Sequence, residues 1–333
     1  MMRPICMGVL LAMTSALTLG SAGEDRSAPR ILEVPIGLDQ YLPVPLDNPI
    51  TLEKIALGRR LFFDKRLSKD GRTSCATCHR PSLRFTDGRR LARGVFDREG
   101  RRNTPSILNR VYGRSLFWDG RAATLEDQVR AAITGERDLG SSMEEVVSRV
   151  SRDADYVRDF TKLFGEPVTG TRLSQALATF VRSRLSGNSP FDRFLSGDAS
   201  ALGALERRGL DLFNGRARCG RCHAGPLLSD ESFHNTGVAW VEGRFLDPGR
   251  AEATGRNHDR GAFKTPSLRE VARTAPYMHD GSMTRLTDVI AFYDRGGRPN
   301  PHLDPEIRPL HLTAGEKSAL IAFLRSLTGI VRS

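Results

Sequence analysis

Apolar residues recur at three-to-four spacing over Thr51–Phe63, Asp153–Phe164, Thr171–Arg184 and Leu202–Phe213, the period that puts them on one face of a helix. A fifth helix opens at Thr313, with Glu316 in capping-box spacing, and carries an apolar stripe through Leu320, Phe323, Leu324 and Leu327. Alternation of period two is short and scattered, and Gly and Pro gather in the segments between. The pattern predicts a mainly α protein with long loops.

Those loops repeat. Residues 101–129 align without a gap on 262–290, an offset of 161, sharing Thr-Pro-Ser, Asp-Gly and Leu-x-Asp. Each copy follows a Cys-x-x-Cys-His motif, and each motif follows a helix that closes on Leu-Phe (Leu61–Phe62, Leu212–Phe213). An internal duplication accounts for this, giving domains at 49–198 and 199–333 with the boundary near Gly197–Ser200. A chain of 333 residues, 39% hydrophobic, is long enough for two small cores.

Residues 1–23 read as a secretory signal: Arg3, an apolar stretch from Ile5 to Leu19, then Gly20, Ser21, Ala22 and Gly23. Residues 24–48 form an N-terminal extension. No later apolar run is long enough to span a membrane, so an exported, periplasmic protein is expected. Of the five cysteines, Cys6 leaves with the signal, and the other four all lie in the two motifs. An exported chain without a cysteine to spare has no disulfide framework.

Cys75-Ala76-Thr77-Cys78-His79 and Cys219-Gly220-Arg221-Cys222-His223 have the spacing of covalent haem c attachment: two thioether bonds and an adjacent proximal imidazole. A disulfide, a redox dithiol or half a zinc site would explain one such motif, but not two that each run straight into His. The expected cofactors are two covalent haem c groups. The formal charge of +11 shrinks by about four on adding the propionates of two haems. The excess that remains suits an acidic protein partner. Export, and the lack of a basic run interleaved with aromatics, argue against nucleic acid.

The far side of each iron decides what such a protein does. Between His79 and His223 there is no histidine, and Met143 is the only methionine. The first haem is therefore expected to keep an open position for hydrogen peroxide. Around the second, Met278, Met283, Tyr277, Tyr293, His234, His258 and His279 are available. The repeat sets Tyr293 opposite Ala132, a phenol against a methyl group. Tyr293 then either ligates the second iron or is a buried tyrosine donating a hydrogen bond.

Over nearly all of the mature chain these residues resemble the bacterial di-haem cytochrome c peroxidase family. Besides the two haem motifs, the shared segments are Arg-Asn-Thr-Pro-Ser (102–106), Phe-Trp-Asp-Gly-Arg (117–121), Phe-His-Asn-Thr-Gly (233–237) and Thr-Ala-Pro-Tyr-Met-His-Asp-Gly (274–281). Within the family the chain is most similar to the MauG/MbnH-like branch, which carries Tyr where conventional members carry Met, the position of Tyr293. The resemblance thus implies Tyr293 as distal ligand of the second haem. Conventional members supply a distal His to the first haem from a loop where this chain has Val95, so activation by release of that ligand is not expected.

The resemblance also implies charge transfer between the haems through Trp118, a distal-pocket Gln128, and a distal carboxylate that falls on Asp138 or else Glu136. It further implies a calcium site from Asn103 and the carbonyls of Thr274 and Pro276. His279, the repeat partner of Trp118, and His234 are expected to bind propionates or backbone. The implied activity is a periplasmic peroxidase whose two haems share oxidising equivalents and which oxidises tryptophan side chains of an exported partner. An ordinary peroxidase fed by a small cytochrome or cupredoxin, and a non-enzymatic electron carrier, are the alternatives.

Overall fold

The computed structural model describes residues 32–332; the expected signal segment, with Cys6, lies outside them. Among the described residues, eight helices of two turns or more carry the fold: α1 (Leu52–Phe63), α2 (Leu125–Thr134), α3 (Met143–Val150), α4 (Ala154–Phe164), α5 (Gly170–Arg182), α6 (Ala204–Asn214), α7 (Leu286–Asp294) and α8 (Ala314–Arg325). Six strands, β1 (Ser186–Gly187), β2 (Phe233–His234), β3 (Trp240–Val241), β4 (Arg244–Phe245), β5 (Phe263–Lys264) and β6 (Ile330–Val331), form two-stranded antiparallel pairs β1–β6, β2–β5 and β3–β4. The expected mainly helical class is what is found. No helix among the described residues is long and apolar enough to cross a membrane.

Capping side chains set the helix starts. The hydroxyl of Thr51 accepts from Lys54 N and that of Thr169 from Arg172 N, while Thr313 and Glu316 close the predicted capping box. The Thr169 cap starts α5 one residue before the periodic pattern does, and α5 ends at Arg182, two residues short of the predicted limit. Helix α3 was not legible in the periodicity because it is only eight residues long; its signature is the capping box Ser142–Glu145.

Apolar faces collect into two main cores. One holds Leu57, Leu61, Phe62, Ile133, Phe160, Leu173, Leu177 and Phe180; the other holds Phe191, Leu202, Phe213, Leu286, Ile290, Leu320, Phe323 and Leu324. Each contains the same helix crossing. A Cβ on Gly58 of α1 would lie 2.1 Å from the Ala176 carbonyl of α5, with Phe180 beside it; a Cβ on Gly209 of α6 would lie 2.1 Å from the Ala319 carbonyl of α8, with Phe323 beside it. Both crossings need backbone contact that only glycine allows. They place the loops holding the cysteine motifs against their cores, through Cys75 in one and Cys219 in the other.

Candidate haem centre

Each motif begins as one helical turn and turns its histidine inward. His79 Nδ1 is 2.9 Å from the Phe85 carbonyl and His223 Nδ1 is 3.0 Å from the Leu228 carbonyl. With Nδ1 donating to a carbonyl, Nε2 is the nitrogen left for a metal. Burial holds both imidazoles below their ordinary pKa, hence neutral, as a metal ligand must be. The loops behind them match bond for bond: Ser106 Oγ donates to Arg84 O (2.7 Å) and Ser267 Oγ to Leu227 O (2.6 Å).

All four motif cysteines are free thiols. Burial pushes Cys75 and Cys219 up to about 12 and Cys78 up to about 11. A redox dithiol needs a depressed thiol pKa, so that reading of the motifs is disfavoured. Thiols waiting for thioether bonds fit.

One cavity joins the two motifs. Its walls include His79 and Gln128 from the first half, Cys219, Cys222, His223 and Tyr293 from the second, and Trp118. The indole N–H of Trp118 donates to Asn103 O (2.9 Å), and Trp118 O accepts from Lys264 N of β5 (2.8 Å), which pins the ring in place. Gln128 on α2 and its repeat partner Val289 on α7 both face the cavity. One turn further on, α7 presents Tyr293 to it. Among the described residues no hydrogen-bond partner reaches the Tyr293 hydroxyl, and burial pushes its pKa up. A phenol so placed can ionise only beside a cation. Two neutral imidazoles, the thiols of Cys219 and Cys222 and a partnerless phenol around one cavity, with Cys75 and Cys78 in the same motif as His79, fit two haem groups.

The comparisons agree. A family model described as di-haem cytochrome c peroxidase matches residues 52–200. The chain is 43% identical to the methylamine utilization protein MauG of Methylorubrum extorquens, over 86% of this chain and 82% of that one. It is 36% identical to the cytochrome-c peroxidase IdrP1 of a Pseudomonas species (strain SCT), over 98% and 93%. Its structure superposes on a crystal structure of a MauG-like protein associated with microbial copper homeostasis with a TM-score of 0.80 and 37% identity, covering 92% of this chain and 96% of that one. The chain belongs to the di-haem cytochrome c peroxidase family.

As a di-haem peroxidase it is an oxidoreductase with two haem cofactors, peroxide as oxidant and a protein as donor or substrate. The remaining candidates divide. Asp138 faces the first haem motif: its carboxylate acts on the thiols of both Cys75 and Cys78. Asp138 is nonetheless exposed and is not among the residues lining the cavity. The surrounding protein nevertheless pushes its pKa up, and the Arg121 guanidinium draws it back. Glu136 does not join this group; it lines a surface groove with Arg98, Glu99 and Arg137.

Asn103, Thr274 and Pro276 all line the cavity. The Asn103 amide nitrogen is spent on Arg89 O (2.8 Å), which leaves its oxygen for a cation. Met143 is remote from the cavity and packs against Gly170, while His258 is exposed on the surface. His234 is not set up to bind a propionate: its Nδ1 lies 2.6 Å from Asp304 and its Nε2 2.9 Å from Asp230. The Cys222 sulfur foremost, then Asp304 and Asp230, raise it to about 10. His279 is buried and stacks on Phe263 with ring centroids 3.6 Å apart. Sequence reasoning missed Asp230, four residues before His234, and Asp304, whose pairing with His234 needs a loop closure over 70 residues.

Proposed function

We propose that this chain is an exported enzyme of the MauG-like type, with one covalent haem c on Cys75, Cys78 and His79 and a second on Cys219, Cys222 and His223. Peroxide is its oxidant at the first site, and tryptophan side chains of an exported partner protein are its substrate class. The observation that carries this reading is the contrast at one repeat position, where Tyr293 meets the cavity without a partner and its counterpart is Ala132. The phenol closes the second site; the methyl group leaves the first open.

When bound, the haems would supply the redox chemistry that splits peroxide. Asp138, its pKa raised, would take up a proton from peroxide and hand it back to the oxygen that leaves as water, the two electrons coming from the haem centres. The Gln128 amide orients the peroxide from the cavity wall. The Trp118 indole, held by Asn103, passes charge between the two sites. Asn103 Oδ1 and the carbonyls of Thr274 and Pro276 make an oxygen-only donor set of the kind calcium takes. The matching crossings at Gly58 and Gly209, with the paired Ser106 and Ser267 bonds, support two duplicated domains over 49–198 and 199–333.

A second reading, peroxide removal with electrons from a small cytochrome or cupredoxin, is favoured by the 36% identity to a cytochrome-c peroxidase over 98% of the chain. Peroxide added to the fully oxidised protein separates the two. The expected result is an immediate spectral change at both haems without prior reduction. A protein that stays silent until one haem has been reduced would overturn the proposal in favour of the second reading.

A further inference from the structure

The chain holds two tryptophans, Trp118 in the cavity wall and Trp240 outside it. Trp240 lies on β3 and pairs across the hairpin with Phe245 of β4, their ring centroids 4.7 Å apart at 64°. Phe245 stacks in turn on His302, with centroids 6.0 Å apart. Glu242 and Gly243 turn the hairpin, both with positive φ, as a two-residue connection between twisted strands prefers. A cross-strand aromatic pair explains why the hairpin forms. It does not explain where the hairpin stands.

Its root belongs to the second site. Thr236 and Val238 line the cavity together with Cys222, His223 and Tyr293. Trp240 follows Val238 by two residues, at most about 7 Å further along the backbone. The root is fixed: Asn235 Oδ1 accepts from Gly237 N (2.8 Å) and Gly237 O from Trp240 N (3.0 Å). Arg298 donates to the carbonyls of Val238 (3.4 Å) and Trp240 (3.3 Å). The other end meets solvent. Trp240 and Phe245 are half-buried and Leu246 is 59% exposed. Arg244, Arg260 and Arg298 are exposed beside them, against one exposed acid of the hairpin, Glu242.

A protein donor is too large to enter the cavity, so oxidation of such a donor has to be relayed to the surface. Tyr277 also lines the cavity, but a phenol must shed its proton as it loses an electron, and among the described residues nothing accepts from the Tyr277 hydroxyl, whose pKa burial pushes up. An indole can give up the electron first and release its N–H proton to water afterwards. We propose that Trp240 is the outer relay of the second site. It gives that site one electron after peroxide has oxidised it, loses the N–H proton to solvent, and recovers both from an acidic donor protein docked on the Trp240–Phe245–Leu246 edge. Aromatic and arginine side chains are the usual anchors of an interface, and a rim of arginines selects an acidic surface.

This inference rests on the proposed sharing of oxidising equivalents with the second haem, and the test tells the two failures apart. Oxidised holoprotein is given peroxide without a donor, and its peptides are mapped by mass spectrometry. Trp240 should gain one oxygen from water, losing two electrons and two protons over successive turnovers. In Trp118→Leu, where the second haem is expected to stay ferric, it should gain none. Trp240→Phe keeps the cross-strand ring but removes the indole. With ferrocyanide as the electron donor it should turn over about tenfold more slowly than wild type. Its resting spectra, and the change at both haems on adding peroxide, should match wild type. Oxygen on Tyr277 in place of Trp240, oxygen on Trp240 beside a ferric second haem, or an unchanged rate in Trp240→Phe overturns the proposal and leaves the two-haem reading standing. A second haem that peroxide never oxidises, with no oxygen on Trp240, overturns both.

Discussion

A single oxygen, the Tyr293 hydroxyl, separates the two sites. It faces the cavity from α7 with nothing to bond among the described residues, whereas Ala132 stands at the matching place on α2. Tyr293→Phe should therefore leave both haems attached and convert the second to high spin, read by electron paramagnetic resonance. Asp138 makes a second prediction. Its raised pKa means that the carboxylate, the form able to take a proton, is lost as pH falls at a higher pH than for an ordinary aspartate. The rate with peroxide should fall on acidification through that range, and in Asp138→Asn it should drop by about 10²–10⁴-fold at every pH. The two Cys-x-x-Cys-His motifs were fully legible in the sequence because each lies within five consecutive positions. Asp138 and Glu136 could not be told apart there, because the conformation of a loop, not spacing, decides which side chain turns toward Cys75 and Cys78.

Elements show the same division. Helix starts were legible because a cap is a local bond, as at Thr51 and Thr313, and the three helices missed, α2, α3 and α7, are ten residues or shorter, too short to show a period. The close crossings at Gly58 and Gly209 were not legible, since each partner carbonyl lies more than a hundred residues away. Gly209→Ala forces α6 off α8 and should cost about 1–3 kcal/mol, measured by denaturant unfolding of the holoprotein. The turn at Phe96–Asp97 was also hidden. Phe96 has positive φ without being Gly, Asn or Asp, and Asp97 alone is a weak turn signal beside it. The turn is held by Phe96 N donating to Asp70 (2.8 Å) and Val95 N donating to Asp138 O (2.8 Å). A Cβ on Gly94 would meet Arg137 O at 2.1 Å and Asp138 O at 2.5 Å. Gly94→Ala should push the Asp138 loop away and slow the reaction with peroxide, with both haem spectra at rest unchanged.

Across the whole molecule, buried ion pairs tie the two halves around the cavity. Arg110 grips Glu231 through both oxygens (3.0 and 2.8 Å), Lys264 approaches the same carboxylate at 3.3 Å, and Arg102 joins Asp119 (2.5 Å) to Asp247 (2.8 Å). Such pairs fix one arrangement more than they add stability, and removing one partner strands a buried charge. The arrangement they fix holds Trp118 between Asn103 and Lys264. In Trp118→Leu the first haem should still consume peroxide while the second stays ferric and partner oxidation falls sharply, followed by rapid-mixing near-infrared spectra; wild-type behaviour would make the indole a packing residue only. The repeated segments made this two-site plan visible in the sequence, but the asymmetry between the sites rests on few residues. The central claim is that one site is open and one closed. Electron paramagnetic resonance of the resting ferric protein tests it most directly: one high-spin and one low-spin haem in equal amounts are predicted, and two low-spin haems would contradict the account.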